Sequence, residues 1–179
     1  APRRRPSTIP APAPLPHRYR LVHQEAGTGA VAQAVELLRG ASHPIVLLGQ
    51  GAFAARAHDA VADLVRKLAC PVIQSQAAEA VLAGLEDRTF RYGSQAGNAA
   101  VGKADVVLAI GTEIGEALHY GRGRHWAAGD AARKWIYIER DPTAIGVNRP
   151  VDVPLVGDLR DVVPQLGAAL GQIARTAAP

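Results

Sequence analysis

Apolar and polar positions along the chain fall into two alternating kinds of block. From Thr28, which can cap a helix, Val31, Val35 and Leu38 recur at helical spacing and stop at Gly40. Ile45-Val46-Leu47-Leu48 follows as a continuous apolar run closed by Gly49 and Gly51, the pattern of a strand buried on both faces. Residues 54–69 predict an alanine-rich helix with Val61, Leu64, Val65 and Leu68 on one stripe. "CPVIQS" reads as a second short strand, and further helix is expected near residues 77–82 and 95–103. "ADVVLAIGT" is a third buried strand, "KWIYIE" a fourth and "VPLVGD" a fifth. Asp158 or Asp161 opens a last helix that runs through Leu170.

Short apolar strands separated by amphipathic helices imply an α/β fold with its sheet covered on both faces. The right-handed crossover rule reduces the topologies to a Rossmann-like three-layer sandwich with a mostly parallel sheet of five or six strands. In such a sheet all strand C-termini share one edge, where open α/β folds bind their ligands. The tips here are Gly49-Gln50-Gly51, Gln74-Ser75, Gly111-Thr112-Glu113, Glu139-Arg140-Asp141 and Gly157-Asp158. Glycines allow close approach to a phosphate, and a carboxylate at a tip suits a ribose diol. Equally, glycines end strands because tight turns need them, and Asp-Pro starts turns. Gly49-x-Gly51 lacks the third glycine of a dinucleotide fingerprint, since Ala52-Phe53-Ala54 follows.

The first residues break the pattern. Residues 1–16 hold six of the thirteen prolines, an extended composition that cannot build a core. Residues 1–27 therefore read as a Pro/Arg-rich interdomain linker, and 28–179 as the domain. With no methionine among its 179 residues, the chain reads as a segment of a longer protein. The isoelectric point of 9.6 invites a nucleic-acid reading. Arg3, Arg4, Arg5, Arg18 and Arg20 give residues 1–24 a charge of +5 against +4 for the whole chain, leaving 4 − 5 = −1 for the remainder. The folded part thus has no basic footprint for nucleic acid. No apolar run approaches the roughly 18 residues of a membrane span, and no secretory signal is present. The single Cys70 excludes an internal disulfide, and a cytoplasmic location is expected.

Catalytic arrangements are scarce. No serine lies in a nucleophile elbow, there is no Walker motif, and His119 and His125 stand too far apart for an ordinary metal site. The "HYGRGRHW" stretch reads as a surface loop or subunit contact.

Two longer stretches carry more. "GSQAGNAAVGKADVVLAIGTEIGE" and "WIYIERDPTAIGVNRPVDVPLVGD" resemble the central domain of thiamine-diphosphate-dependent enzymes of the acetolactate synthase-like group. The match rests on Gly93, Ser94, Asn98, Ala104-Asp105, Gly111-Thr112, Asp141-Pro142, Ile145-Gly146, Asn148 and Val156-Gly157-Asp158, and extends from about Val31 to Leu170. The resemblance implies a three-domain parent enzyme, a decarboxylase or carboligase of 2-oxo acids working as a homodimer or homotetramer. Its other domains would supply the glutamate that activates thiamine diphosphate and the Mg²⁺ that holds it. This segment would itself be inactive, for it lacks the G-D-G…N motif, which Gly129-Asp130-Ala131 does not replace.

Some such domains bind FAD, some ADP and some nothing. The strand tips and the resemblance together place any nucleotide on Gly49, Gln50, Gly51, Gly93, Ser94, Gly111, Thr112, Glu113, Glu139, Arg140, Asp141, Gly157 and Asp158. Several departures weigh against FAD. Ala78-Glu79-Ala80 stands where FAD binders carry G-K-G, Glu113 where an arginine is frequent, Glu139 for the usual Asp, and Arg140 for an apolar residue. Two alternatives stay open: a free-standing FAD- or ADP-binding module of electron-transfer flavoprotein type, and a purely structural spacer.

Overall fold

The computed structural model describes residues 23–75, 78, 82–126 and 130–171. Six parallel strands form one sheet: β1 (Pro44–Leu48), β2 (Val72–Gln74), β3 (Thr89–Arg91), β4 (Val106–Ile110), β5 (Lys134–Glu139) and β6 (Val153–Val156). Their order is β3-β2-β1-β4-β5-β6, so the strand sequence reverses between β1 and β4. That is the doubly wound order of the Rossmann fold, with its switch point at the β1 and β4 tips. Both central strands are buried along their whole length, as their unbroken Ile/Val/Leu runs require.

One face of the sheet is covered by α1 (Thr28–Gly40), α3 (His58–Leu68) and α5 (Leu159–Leu170). Their apolar stripes meet Val46, Leu48, Leu108, Ile110, Ile136 and Ile138 in the larger core. The other face carries α4 (Gln95–Lys103) and a 3₁₀ stretch, Glu116–Gly121. Here two tryptophans complete the smaller core: Trp126 and Trp135 lie 5.2 Å apart, both essentially inaccessible. Buried Arg133 ties the edges of this layer together, donating to the carbonyls of Ala104, Trp126 and Val101. "HYGRGRHW" is thus only partly a surface loop: His119 and Tyr120 are outside, whereas Gly121 and Trp126 face inward.

The structure departs from the sequence reading in three places. The helix expected over 54–69 starts only at His58, as α3, and a separate short helix, α2 (Gln50–Ala54), precedes it, with Arg56 at φ 55° and Ala57 N–H bonded to Ala52 O between them. Alanine-rich sequence gives no stop signal, so the break is dictated by what α2 touches, as described below. Secondly, β3 escapes periodicity because it is three residues long and two of them are polar. Thirdly, residues 23–27, placed in the linker by composition, lie on the domain. Gln24 N–H donates to Asp161 Oδ2 at 2.8 Å, Asp158 N–H to Gln24 O, and Ala26 pairs twice with the Gln165 side chain. Ala26 is 5% exposed. The expected helix near 77–82 and the Ala78-Glu79-Ala80 stretch fall almost wholly outside the described residues, as does residues 1–22 of the linker. Among the described residues no helix is long and apolar enough to cross a membrane.

Removing residues 1–27 should therefore destabilise the domain by about 2–3 kcal/mol relative to removing 1–22, from one buried side chain and several backbone hydrogen bonds. Denaturant unfolding of the two truncations checks this difference.

Candidate functional site

At the switch point the first and fourth strand tips are pressed together. Gly51 N–H donates to Gly111 O at 2.8 Å, and Gly49 N–H donates to Ile110 O. A Cβ on Gly49 would fall inside the Thr112 Cα and the Gly111 carbonyl, and one on Gly51 would sit 2.7 Å from that same carbonyl. These glycines are required by a loop packed on a loop. A Cβ on Gly111, itself at φ 53°, would meet Leu159, Ala52 and Gly51. Gly49 and Gly51 stand at the start of α2, of five residues, whereas Val61 and Leu64 belong to α3. Gln50 is exposed at the start of α2.

The remaining tip residues hold their own loops. Glu139 Oε1 accepts from Arg140 N–H at 2.7 Å and Asp141 N–H at 3.2 Å, closing the turn that ends β5. Asp141 Oδ1 caps the next turn, Pro142–Ala144, through Thr143 N–H and Oγ1–H. The Thr143 hydroxyl bond, then the Thr143 amide, hold the Asp141 carboxyl below its ordinary range. Asp158 caps α5 by accepting from Arg160 N–H, and its two oxygens pair with the Arg160 guanidinium. That side-chain pair, outweighing burial, lowers the Asp158 carboxyl to about 2. Gly157 is needed because the Gln24 carbonyl crosses directly over it. Ser94 caps α4, and Gly93 O accepts from Asn98 Nδ2. These two follow β3 at the sheet margin, four strand spacings or roughly 19 Å from β5. Thirteen residues that share an edge in sequence logic thus divide into β3, β1/β4 and β5/β6 groups.

Between the β4 and β5 tips lies a feature that strand-tip reasoning missed, a cavity of about 200 Å³. Glu113 is the one expected site residue on its wall, beside Tyr137, Val147, Asn148 and Arg149. The Tyr137 hydroxyl donates to Thr112 O at 2.7 Å and lies 3.4 Å from Glu139 Oε2. Burial, then the Glu139 charge, pushes that phenol far up. Arg149 lies flat on the Trp135 ring, its carbon 3.8 Å from the centroid, and donates to Gly121 O and to Asp130. A tyrosine inside a buried apolar strand was the sequence signal for this polar pocket. A buried Arg149 had none.

Gly49→Ala should cost about 2–4 kcal/mol of stability, since only backbone can yield to the added methyl. Gly40→Ala, whose Cβ meets nothing within 4 Å, should be neutral or stabilising by about 0.5 kcal/mol. Thermal unfolding of the pair compares them.

For Asp158 the sign is set by a folded pKa below the unfolded value. Its stabilisation is complete above about pH 4 and is lost as pH falls towards 2. Because Arg160 is well exposed, the expected size is about 1–2 kcal/mol after solvent screening. Asp158→Asn should lower stability by that amount at pH 7, and the difference should shrink below pH 4 and vanish only below about pH 2, measured by denaturant unfolding across pH.

Comparison with known proteins agrees with this architecture. The thiamine pyrophosphate enzyme central domain family matches residues 31–166. The chain is 33% identical over 165 residues to sulfoacetaldehyde acetyltransferase of Roseovarius nubinhibens, covering 89% of this chain and 27% of that protein. It is 31% identical over 140 residues to acetolactate synthase of Arthrospira platensis, 74% of this chain and 24% of that one. With oxalyl-CoA decarboxylase of Escherichia coli K12 it shares 29% over 143 residues, 80% and 24% of the two chains. A solved structure from Mycobacterium smegmatis, described as a thiamin diphosphate-dependent enzyme, superposes with a TM-score of 0.70 at 24% identity. That superposition covers 88% of this chain and 30% of that one, and speaks to the fold. The chain spans about a quarter of the length of the curated relatives it matches. Over three quarters of its length, this chain belongs to the family of thiamine pyrophosphate enzyme central domains.

Proposed function

We propose that this domain serves as the structural, non-catalytic centre of a thiamine-diphosphate-dependent enzyme acting on 2-oxo acids as a decarboxylase or carboligase. The relatives' names and the quarter-length match support that setting. The observation that carries the structural role is the loop-on-loop contact at the switch point, where Gly51 N–H is bonded to Gly111 O.

The donor set does not fit thiamine diphosphate with Mg²⁺. Among the described residues no three His, Cys, Asp or Glu side chains stand together as a metal site. The carboxylates of Glu139, Asp141 and Asp158 are engaged as caps. In this proposal the cofactor is held by other domains of the parent chain, within a cytoplasmic homodimer or homotetramer. FAD and ADP have no part in it. The Gly51 amide already has its acceptor, and Glu113, Glu139 and Asp141 would oppose a diphosphate. The family match also disfavours a module of electron-transfer flavoprotein type.

Calorimetric titration of the 179-residue chain with thiamine diphosphate and Mg²⁺ should give no binding in the micromolar range, whereas the parent enzyme should bind. Micromolar affinity in the isolated chain would overturn the assignment of cofactor chemistry to other domains.

A further inference from the structure

The cavity between the β4 and β5 tips opens on the α4 side of the sheet and carries polar groups that the fold leaves unused. Its wall is apolar where Ile114, the Tyr137 ring and Val151 belong to the smaller core. Val147, 69% exposed, adds a further apolar side chain where the cavity meets solvent. Glu113, Asn148 and Arg149 complete the lining. Arg149 is buried, donates to Gly121 O and shares Asp130 with Arg133, yet its Nε–H has no partner. Half-buried Asn148 makes no side-chain hydrogen bond among the described residues. The exposed Glu113 carboxylate likewise has neither a donor nor a cation among them. Burial, then the charges of Glu139 and Glu113, raise the Tyr137 phenol, so Glu113 stands close enough to this wall to act on a ligand there.

Polar groups that lie buried or half-buried ordinarily find partners within the fold. Here an anion, an amide and a cationic N–H are left over around one small space. Glu113 comes from the β4 tip and Arg149 from the connection before β6, so the opposite charges line the cavity from different elements. A lone carboxylate would suit Arg149 but meet Glu113 as a like charge, and a lone amine would do the reverse. A molecule carrying both groups on an apolar body satisfies both ends. The volume of about 200 Å³ is that of roughly seven waters, enough for a small aliphatic side chain with its backbone groups. We propose that this cavity binds a small aliphatic amino acid as its zwitterion, with the ammonium at Glu113, the carboxylate at Arg149 and Asn148, and the side chain against Ile114, Val147 and Val151. The site stands on the cavity alone and does not depend on the thiamine-enzyme reading.

Titration of the 179-residue chain with L-leucine, followed by amide NMR, tests this. Leucine should bind with a Kd in the millimolar range or tighter, within reach of a ligand of about nine heavy atoms. It should shift the amides of Ile114 and of residues 146–149. Two one-ended analogues, 4-methyl-2-oxopentanoate without the ammonium and 3-methylbutylamine without the carboxylate, should each bind at least about tenfold more weakly. Glu113→Gln, which removes no hydrogen bond of the fold, should weaken leucine about tenfold and leave the oxo acid binding no more weakly than before. Arg149 also holds Gly121 and Asp130, so its end of the site is read from the amine and not from a variant. A control, Glu116→Gln, on an exposed residue outside the lining, should bind leucine as the parent does. Absence of shifts at about 10 mM leucine would overturn the proposal. So would an analogue that binds as tightly as leucine, or an unchanged leucine affinity in Glu113→Gln. Equal weakening in the control would also overturn it, by making net charge and not Glu113 the cause.

Discussion

The contact on which the rest of this domain depends is the bond between Gly51 N–H and Gly111 O. It joins the tips of β1 and β4 at the one place where the strand order reverses, the position open α/β sheets normally leave as a crevice. Closing it requires glycine at 49 and 51, because any side chain there would meet backbone. It also explains the short α2. The first turn after β1 must lie on Gly111, while α3 must lie along α5, and one straight helix cannot satisfy both. The chain turns through Arg56 at positive φ to reconcile them, at a local cost of about 1 kcal/mol.

The other tips follow the same economy of backbone groups. Polar residues at or just beyond the ends of β3, β5 and β6 satisfy amides of the segment that follows. Glu139 serves Arg140 and Asp141, Asp141 serves Thr143, Asp158 serves Arg160, and Ser94 serves Gly97. A helix or turn that starts at a sheet edge has unpaired N–H groups, and a short acceptor at its first position is the cheapest partner. The same residue types would suit a ribose or a phosphate, which is why residue identity by itself does not separate a ligand edge from a capped one. Geometry does: an oxygen already bonded to two amides has little left to offer a ligand.

Much of the fold was legible. Long apolar runs at β1, β4 and β5 and the stripes of α1, α3 and α5 declare their burial through periodicity alone. Features set by tertiary contact were not. The three-residue β3 has no pattern long enough to read, and the break at Ala55–Ala57 has no local signal in an alanine-rich stretch. Residues 23–27 look like linker by composition, yet their backbone is bound by side chains of α5 more than 130 positions away. At the candidate site, sequence identified the tips but could not see that the glycines of two tips touch each other. Nor could it foresee Arg149, a cation buried on Trp135, as part of a cavity wall.

The central claim is that the switch point is closed by the protein itself. Amide hydrogen exchange at Gly51, followed by NMR in the presence and absence of millimolar ADP or FAD, tests it most directly. A closed switch point predicts a Gly51 amide that is strongly protected in the free protein, with neither protection nor chemical shift changed by either nucleotide. A Gly51 amide that exchanges freely without ligand, or that shifts with Gly111 and Thr112 when nucleotide is added, would show an open crevice and contradict the claim.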